Sequence, residues 1–336
     1  MNAIIHEFSL PVPTTEAGKP RRVGVELEFS YLEPDMVADL LIAEFGGHAL
    51  RETDYRTRVQ VPGLGEFRIE IDMAILKRLD RECLLEDEAP GLLAGLTEGL
   101  VREFAVDVAP CEIVSPPLAV AALPCLDRLV ERLREVATEG SDDEPIYAFG
   151  VQFNPEAPAL GAASILDYLR AFVLLYDWLR SELGIDANRQ LSTFVQPYPE
   201  AYGRRILAHD YRPDLATLMD DYLAANPNRN RALDLLPLFA YLDRARVRAA
   251  VSPRQVINAR PTYHYRLPNS YVAHPDWRIT DEWRYWLALE WLVSEPAQLR
   301  RMTADYRRLL AKPPGRRREW IRQVPDYLPA GPWCDL

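Results

Sequence analysis

Two glutamates, Glu26 and Glu28, stand inside RVGVELEF at residues 22–29. Val23, Val25, Leu27 and Phe29 alternate with Gly24, Glu26 and Glu28. Period-two alternation puts the apolar side chains on one strand face and both carboxylates on the other. Glutamate is depleted in strands. At about 3.3 Å per residue the two carboxylates start roughly 6.5 Å apart. They repel one another unless the face is wet or a cation lies between them.

The same pattern recurs along the chain. In FRIEID, Phe67, Ile69 and Ile71 alternate with Arg68, Glu70 and Asp72. Glu112 sits between Cys111 and Ile113, and Gly150, Gln152 and Asn154 alternate with Val151 and Phe153. In YHYRL, His264 and Arg266 alternate with Tyr263, Tyr265 and Leu267. Joined in one sheet, these strands carry a dense cluster of acids with a few cationic groups on their polar face. A solvated sheet face accounts for any one of them alone. It gives little reason to concentrate Glu26, Glu28, Glu70, Asp72 and Glu112. Hard divalent cations take oxygen ligands, often a few carboxylates together with substrate phosphates. Arginine and amide groups then hold phosphate oxygens and orient a substrate.

The elements that position these residues can be read from periodicity. Residues 1–20, with Pro11, Pro13 and Pro20, form an irregular arm, and 21–336 form a single domain, helical from about 275. Strands are expected at 22–31, about 48–61, 66–72, 106–114, 146–154 and 262–268. Pro34 opens a helix that ends at Gly46-Gly47, and further helices fall at about 88–104, 118–138 and 164–183, where Gly184 is a natural stop. Others follow at about 211–225 and 230–250, and after 280, where Thr280 suits an N-cap. The turn-rich segment 185–203, ending in QPYPEAYG, is long for a plain connection and suits a binding loop. Without regular βαβ alternation, the expected class is α+β with a largely antiparallel sheet and helices on its apolar face.

Composition narrows the rest. The net charge of −11 disfavours non-specific nucleic-acid binding. Only Lys19, Lys77 and Lys312 stand against many arginines, so a single arginine carries little weight. Cys83, Cys111, Cys125 and Cys334 show no C-x-x-C or zinc spacing, which suits a reducing compartment. No run approaches the roughly 18 apolar residues of a membrane span, and the N-terminus lacks signal-peptide features. A cytoplasmic protein is the expectation, with oligomeric state open. There is no P-loop, G-x-G-x-x-G or nucleophile elbow; Ser115, in IVSPP, lacks the flanking glycines. Trp283, Trp286 and Trp291 at near-helical spacing suit a core or an oligomer contact.

In order, RVGVELEF, EID, CEIVSPPL, a Gly-x-Gln-x-Asn strand and NARPTYHYRLP resemble the amidoligase family over roughly residues 20–270. That family lies within the carboxylate–amine ligase superfamily of glutamine synthetase and glutamate–cysteine ligase. The resemblance implies a curved antiparallel sheet that binds ATP and Mg²⁺ or Mn²⁺. A carboxylate would be activated as an acyl phosphate and attacked by an amine, the substrates being amino acids or peptide termini. Glu26 and Glu28 match paired metal ligands, and Glu112 a further one. Asp72 matches an acid usually followed by a small hydroxyl residue, although Met73-Ala74 follow here. Glu28, Asp72 and Arg266 would be catalytic, Arg266 contacting nucleotide or acyl-phosphate oxygens. Asn258 and Arg260 resemble nucleotide-side positions, and Arg204 and Arg205 follow the polar loop within reach of a nucleotide. Glu70, Gln152 and His264 complete the expected metal set. Gln152 and Asn154 stand where the family often has a G-x-H-x-H strand, and His264 stands where it usually has glutamate. Two other readings remain open here: a carbohydrate hydrolase using paired carboxylates, and a non-catalytic binding protein on a degenerate ligase scaffold.

Overall fold

The chain is represented by a computed structural model, which describes residues 8–29, 32–53, 55–71, 111–140, 148–185, 195–253, 255–311 and 317–333. Among the described residues nine strands form one sheet: β1 Arg22–Phe29, β2 His48–Thr53, β3 Arg56–Val61, β4 Gly65–Ile71, β5 Cys111–Val114, β6 Leu118–Ala119, β7 Ala148–Pro155, β8 Leu233–Asp234 and β9 His264–Tyr265. Their order is β2-β3-β4-β5-β1-β7-β9-β8, with β6 also on β1. Every pair is antiparallel. RVGVELEF is thus the middle of the sheet, with β5 on one side and β7 on the other. Its alternation holds: Val23, Val25, Leu27 and Phe29 are all buried on the core face.

Ten helices are described: α1 Pro34–Phe45, α2 Pro124–Gly140, α3 Ala162–Glu182, α4 Glu200–Ile206, α5 Leu215–Ala225, α6 Leu236–Leu242, α7 Arg244–Ala250, α8 Ile279–Ser294, α9 Pro296–Leu310 and α10 Arg317–Gln323. The class is α+β, and one continuous core joins the helices to the apolar sheet face. In α3, Ile165, Leu169, Phe172, Tyr176 and Leu179 form the buried stripe, and Gly184 at φ +56° follows its end. Gly47 has to be glycine. Its φ is +110°, and a Cβ there would sit 2.0 Å from the Gln60 carbonyl oxygen. Trp283 and Trp286 are fully buried, as a core role requires. Trp286 packs against Tyr265 at 5.3 Å between ring centroids, and Tyr168 stacks on Tyr263 at 4.4 Å. Among the described residues no helix is long and apolar enough to cross a membrane.

Several boundaries differ from expectation, each for a local reason. The stretch 48–61 is a hairpin, β2 and β3, not one strand. The segment from 118 begins as a short strand and a 3₁₀ turn before α2 starts at Pro124, because proline supplies no helical N–H and suits a first turn. Residues 230–250 hold β8 and two short helices divided at Asp243, whose carboxylate accepts from the Arg246 N–H at 2.9 Å as an N-cap. The last strand is two residues long, not seven. Thr280 does not cap α8. Its N–H and hydroxyl both donate to Asp127 of α2, at 3.2 and 2.7 Å, so the cap comes from a different helix. The expected helix at 88–104, most of the strand at 106–114 and Asp72 lie outside the described residues.

The start of β1 is anchored by a buried ion pair. Arg21 Nη1 and Nη2 donate to Glu290 of α8 at 2.9 and 2.7 Å, and both side chains are fully buried. Arg21 also donates to the carbonyls of Glu156 and Val12, while Tyr168 and Trp286 donate to Glu290. Burial alone would lower the arginine's pKa, but Glu290 outweighs it and raises it. Removing one partner strands a buried charge. Glu290→Gln should therefore cost about 3–5 kcal/mol in urea unfolding, and the double variant Arg21→Met/Glu290→Leu should recover much of that loss.

Candidate active site

Strand register decides which polar side chains meet. Residues directly opposite one another in an antiparallel pair share a face. Glu28 pairs with Glu112, Glu112 with Glu70, and Glu70 with Arg56. Three carboxylates therefore lie in one row across β1, β5 and β4. Arg56 closes the row, its Nε donating to Glu70 at 2.7 Å. A second row runs Gln152–Glu26–Val114–Arg68. The register between β1 and β7 shifts after Leu27, so Phe149 and Gly150 stand against Glu28 alone. Such a bulge re-aims side chains and is common beside active sites. Gln152 Nε2 donates to Glu28 across it.

Glu26 is engaged differently. Its Oε1 accepts from Asn154 Nδ2 and from Arg260 Nη2, both at 2.9 Å. Burial pushes this carboxyl up, but Arg260 and Arg266, with the hydrogen bonds from Arg260 and Asn154, hold it below the usual range. With its amide nitrogen committed to Glu26, Asn154 presents its carbonyl oxygen to His264 Nδ1 at 2.5 Å. Arg260 Nη2 also approaches His264 Nδ1, at 3.4 Å, but the much shorter contact to the Asn154 oxygen puts the imidazole proton on Nδ1 and the lone pair on Nε2. Among the described residues the buried His264 Nε2 has no hydrogen-bond partner, and neither has Gln152 Oε1. Burial first, then Arg266, Arg260 and Arg229, keep the ring neutral by lowering its pKa well below 6.5.

A cationic corner adjoins this network. Asp234, fully buried and opposite His264 in register, accepts from Arg229 Nε at 3.3 Å and lies 3.6 Å from Arg266 Nη2. Its second oxygen accepts from the Leu236 N–H at 2.9 Å. Burial and then Arg229 lower the Arg266 pKa, against the carboxylates of Asp234, Glu26 and Glu28. Arg229, Arg260 and Arg266 thus gather around Glu26 and Asp234, an excess of positive charge at one end of the face. The Glu28, Glu112 and Glu70 row, with Arg56, leaves an excess of negative charge at the other.

The face therefore brings together Glu26, Glu28, Glu70, Glu112, Gln152, Arg260, His264 and Arg266. Arg204 lies elsewhere, pairing with Glu200 within α4 at 2.5 Å. Arg205 likewise pairs with Asp221, at 2.7 Å. Asn258 is exposed beside the last strand. Asn154, Asp234 and Arg229 were not among the sequence candidates. Asn154 follows Gln152 by two, so the alternation that selected Gln152 selects it as well. Asp234 sits in LDLLPL, which reads as part of an apolar helix. Ser115 is structural: its hydroxyl accepts from the Val25 N–H at 2.8 Å and continues the β1 ladder where Pro116 ends β5.

Among the described residues no three His, Cys, Asp or Glu side chains form a ready metal cage. The donors at the acidic end are all oxygens: Glu28, Glu112, Glu70 and the buried, unpartnered Gln152 Oε1. That set fits a hard cation that keeps some water and takes phosphate oxygens, rather than one held entirely by protein. Glu26 does not fit the same role, because the Arg260 guanidinium already stands on it. The His264 arrangement can be checked directly. Nitrogen-15 spectra should show a ring that is neutral and protonated on Nδ1 at pH 7, and still neutral below the ordinary imidazole pKa. Below about pH 6.5 the unfolded chain takes up a proton that the folded ring refuses, so this group makes stability fall as pH drops from there.

Comparison with known proteins bears on this arrangement. A search of curated proteins finds no match. A family model with the description "Putative amidoligase enzyme" matches residues 19–288, from two residues before Arg21 to within α8. The match spans most of the chain, including every strand of the sheet and both ends of the polar face, and the chain belongs to the amidoligase family.

Proposed function

We propose that the protein is an ATP-dependent amide ligase that activates a carboxylate as an acyl phosphate and then joins it to an amine. Family membership supports amide-bond formation. One observation supports the rest: the Glu28–Glu112–Glu70 row and the Arg229–Arg260–Arg266 corner flank Glu26 and Gln152 on one sheet face. Phosphoryl transfer needs both ends, because the reacting phosphate carries several negative charges that must be held and neutralised.

In this reading Glu28, Glu112 and Gln152 Oε1 would hold Mg²⁺, with Glu70 completing the row, and the bound ion would supply charge neutralisation for phosphate oxygens. Arg266 donates to phosphoryl oxygens, its position fixed by Asp234. Arg229 shares Asp234 and adds charge at the same place. Arg260 holds Glu26 ionised, which orients Asn154 and through it the His264 ring. The Nε2 lone pair can then accept a hydrogen bond from an N–H of the amine nucleophile and orient it. The substrates are an amino-acid or peptide carboxylate and an amine.

Calorimetry tests the proposal. ATP should bind with Mg²⁺ present and at least tenfold more weakly in EDTA. Glu28→Gln and Glu112→Gln should abolish that metal dependence while leaving the free energy of unfolding in urea within about 0.5 kcal/mol of wild type. Arg266→Met should weaken ATP binding with or without metal. Binding that ignores Mg²⁺, or that survives all three substitutions, would refute the assignment.

A further inference from the structure

A second feature lies away from the polar face. A cavity of about 640 Å³ opens among α3, α4, the end of α9 and α10, within the size range of small-molecule sites. Phe172, Tyr176, Tyr198, Tyr306 and Trp320 supply aromatic wall. None of the acids or arginines assigned to the polar face lines it. Phe172 meets Tyr265 on the core side of β9, at 6.2 Å between rings, so this cavity lies behind the sheet.

The turn-rich segment QPYPEAYG forms one side through Gln196, Pro197, Tyr198, Pro199, Glu200 and Gly203. It is fixed in place: the Tyr198 hydroxyl donates to the Leu233 carbonyl at 2.6 Å, and Arg231 donates to the Pro197 carbonyl at 3.1 Å.

Charge selects the ligand. Two of the three lining arginines are matched, Arg204 by Glu200 and Arg317 by Asp177, at 2.5 and 2.9 Å. Among the described residues Arg231 has no carboxylate partner. Its bonds go to neutral oxygens: Asn226 Oδ1 at 2.7 Å, Gln196 Oε1 at 3.3 Å, Pro197 at 3.1 Å and Ala225 at 3.5 Å. These use four of its five N–H groups and leave one on Nη2. A guanidinium held rigidly by neutral groups keeps its full charge and is pre-organised for an anion. We propose that the cavity is a second binding site for a small carboxylate with an aromatic or branched apolar body. Its aromatic wall receives the body and Arg231 the carboxylate.

The site is separate from the proposed catalytic face, so its test is independent of ATP and metal. The probes are N-acetyl-L-phenylalanine and its amide, titrated calorimetrically into the full chain. The acid should bind about tenfold more tightly than the amide, the scale of one charge-assisted hydrogen bond. Arg231→Gln should bring the acid to the amide's affinity. Val173→Phe, which fills the cavity from α3 and leaves Arg231 in place, should abolish binding of both. Glu28→Gln should bind the acid as wild type does. The proposal is overturned if neither probe binds, if both bind alike, if Val173→Phe leaves binding intact, or if Glu28→Gln removes binding.

Discussion

The molecule depends on a buried arginine–glutamate pair. Arg21 stands at the entry to the central strand, and Glu290 stands on a C-terminal helix far along the chain. Neither charge is tolerable in the core alone. Together, with Tyr168, Trp286 and two backbone carbonyls, they satisfy one another and fix where β1 begins relative to α8. A one-residue slip of β1 would turn Glu26 and Glu28 toward the apolar core and Val25 and Leu27 onto the polar face. The pair thus sets the register on which the polar face is built.

With β1 fixed, the face follows from pairing on both of its edges. Like charges directly opposite one another destabilise a sheet. Here Glu28, Glu112 and Glu70 are aligned in that way, relieved by Arg56 at one end and by Gln152 at the other. Glu26, one step along, carries an arginine. The two glutamates that look equivalent in RVGVELEF therefore have different electrostatic surroundings. One belongs to an acidic row that suits a cation. The other is the anchor of a cationic corner.

That difference also gives the two family departures a physical role. Asn154 links Glu26 to His264, and an acidic side chain in place of His264 would face the acidic Asp234 across β8 and β9. A neutral imidazole avoids that repulsion, and burial first, then three nearby arginines, keep it unprotonated. The substitution leaves the corner net positive, which suits an anionic substrate group.

Much of this was legible in order along the chain. Alternation alone marked the apolar and polar faces of β1, β4, β5 and β7, since the strand period is fixed by backbone geometry. The helical stripe of α3 and its glycine stop were likewise local, as was the α+β class. The hairpin at 48–61, the split of 230–250 and the two-residue β9 were less legible, because short elements are decided by neighbours rather than by propensity. Sequence could place Glu26 and Glu28 on one face, but not give one an arginine and the other an acidic row. Arg260 is distant from Glu26 in the chain, and Asp234 was hidden in an apolar run. Local sequence determined which side chains face away from the core. Only tertiary structure decided which charges meet, because Coulomb interactions depend on distances that strand register and helix docking set.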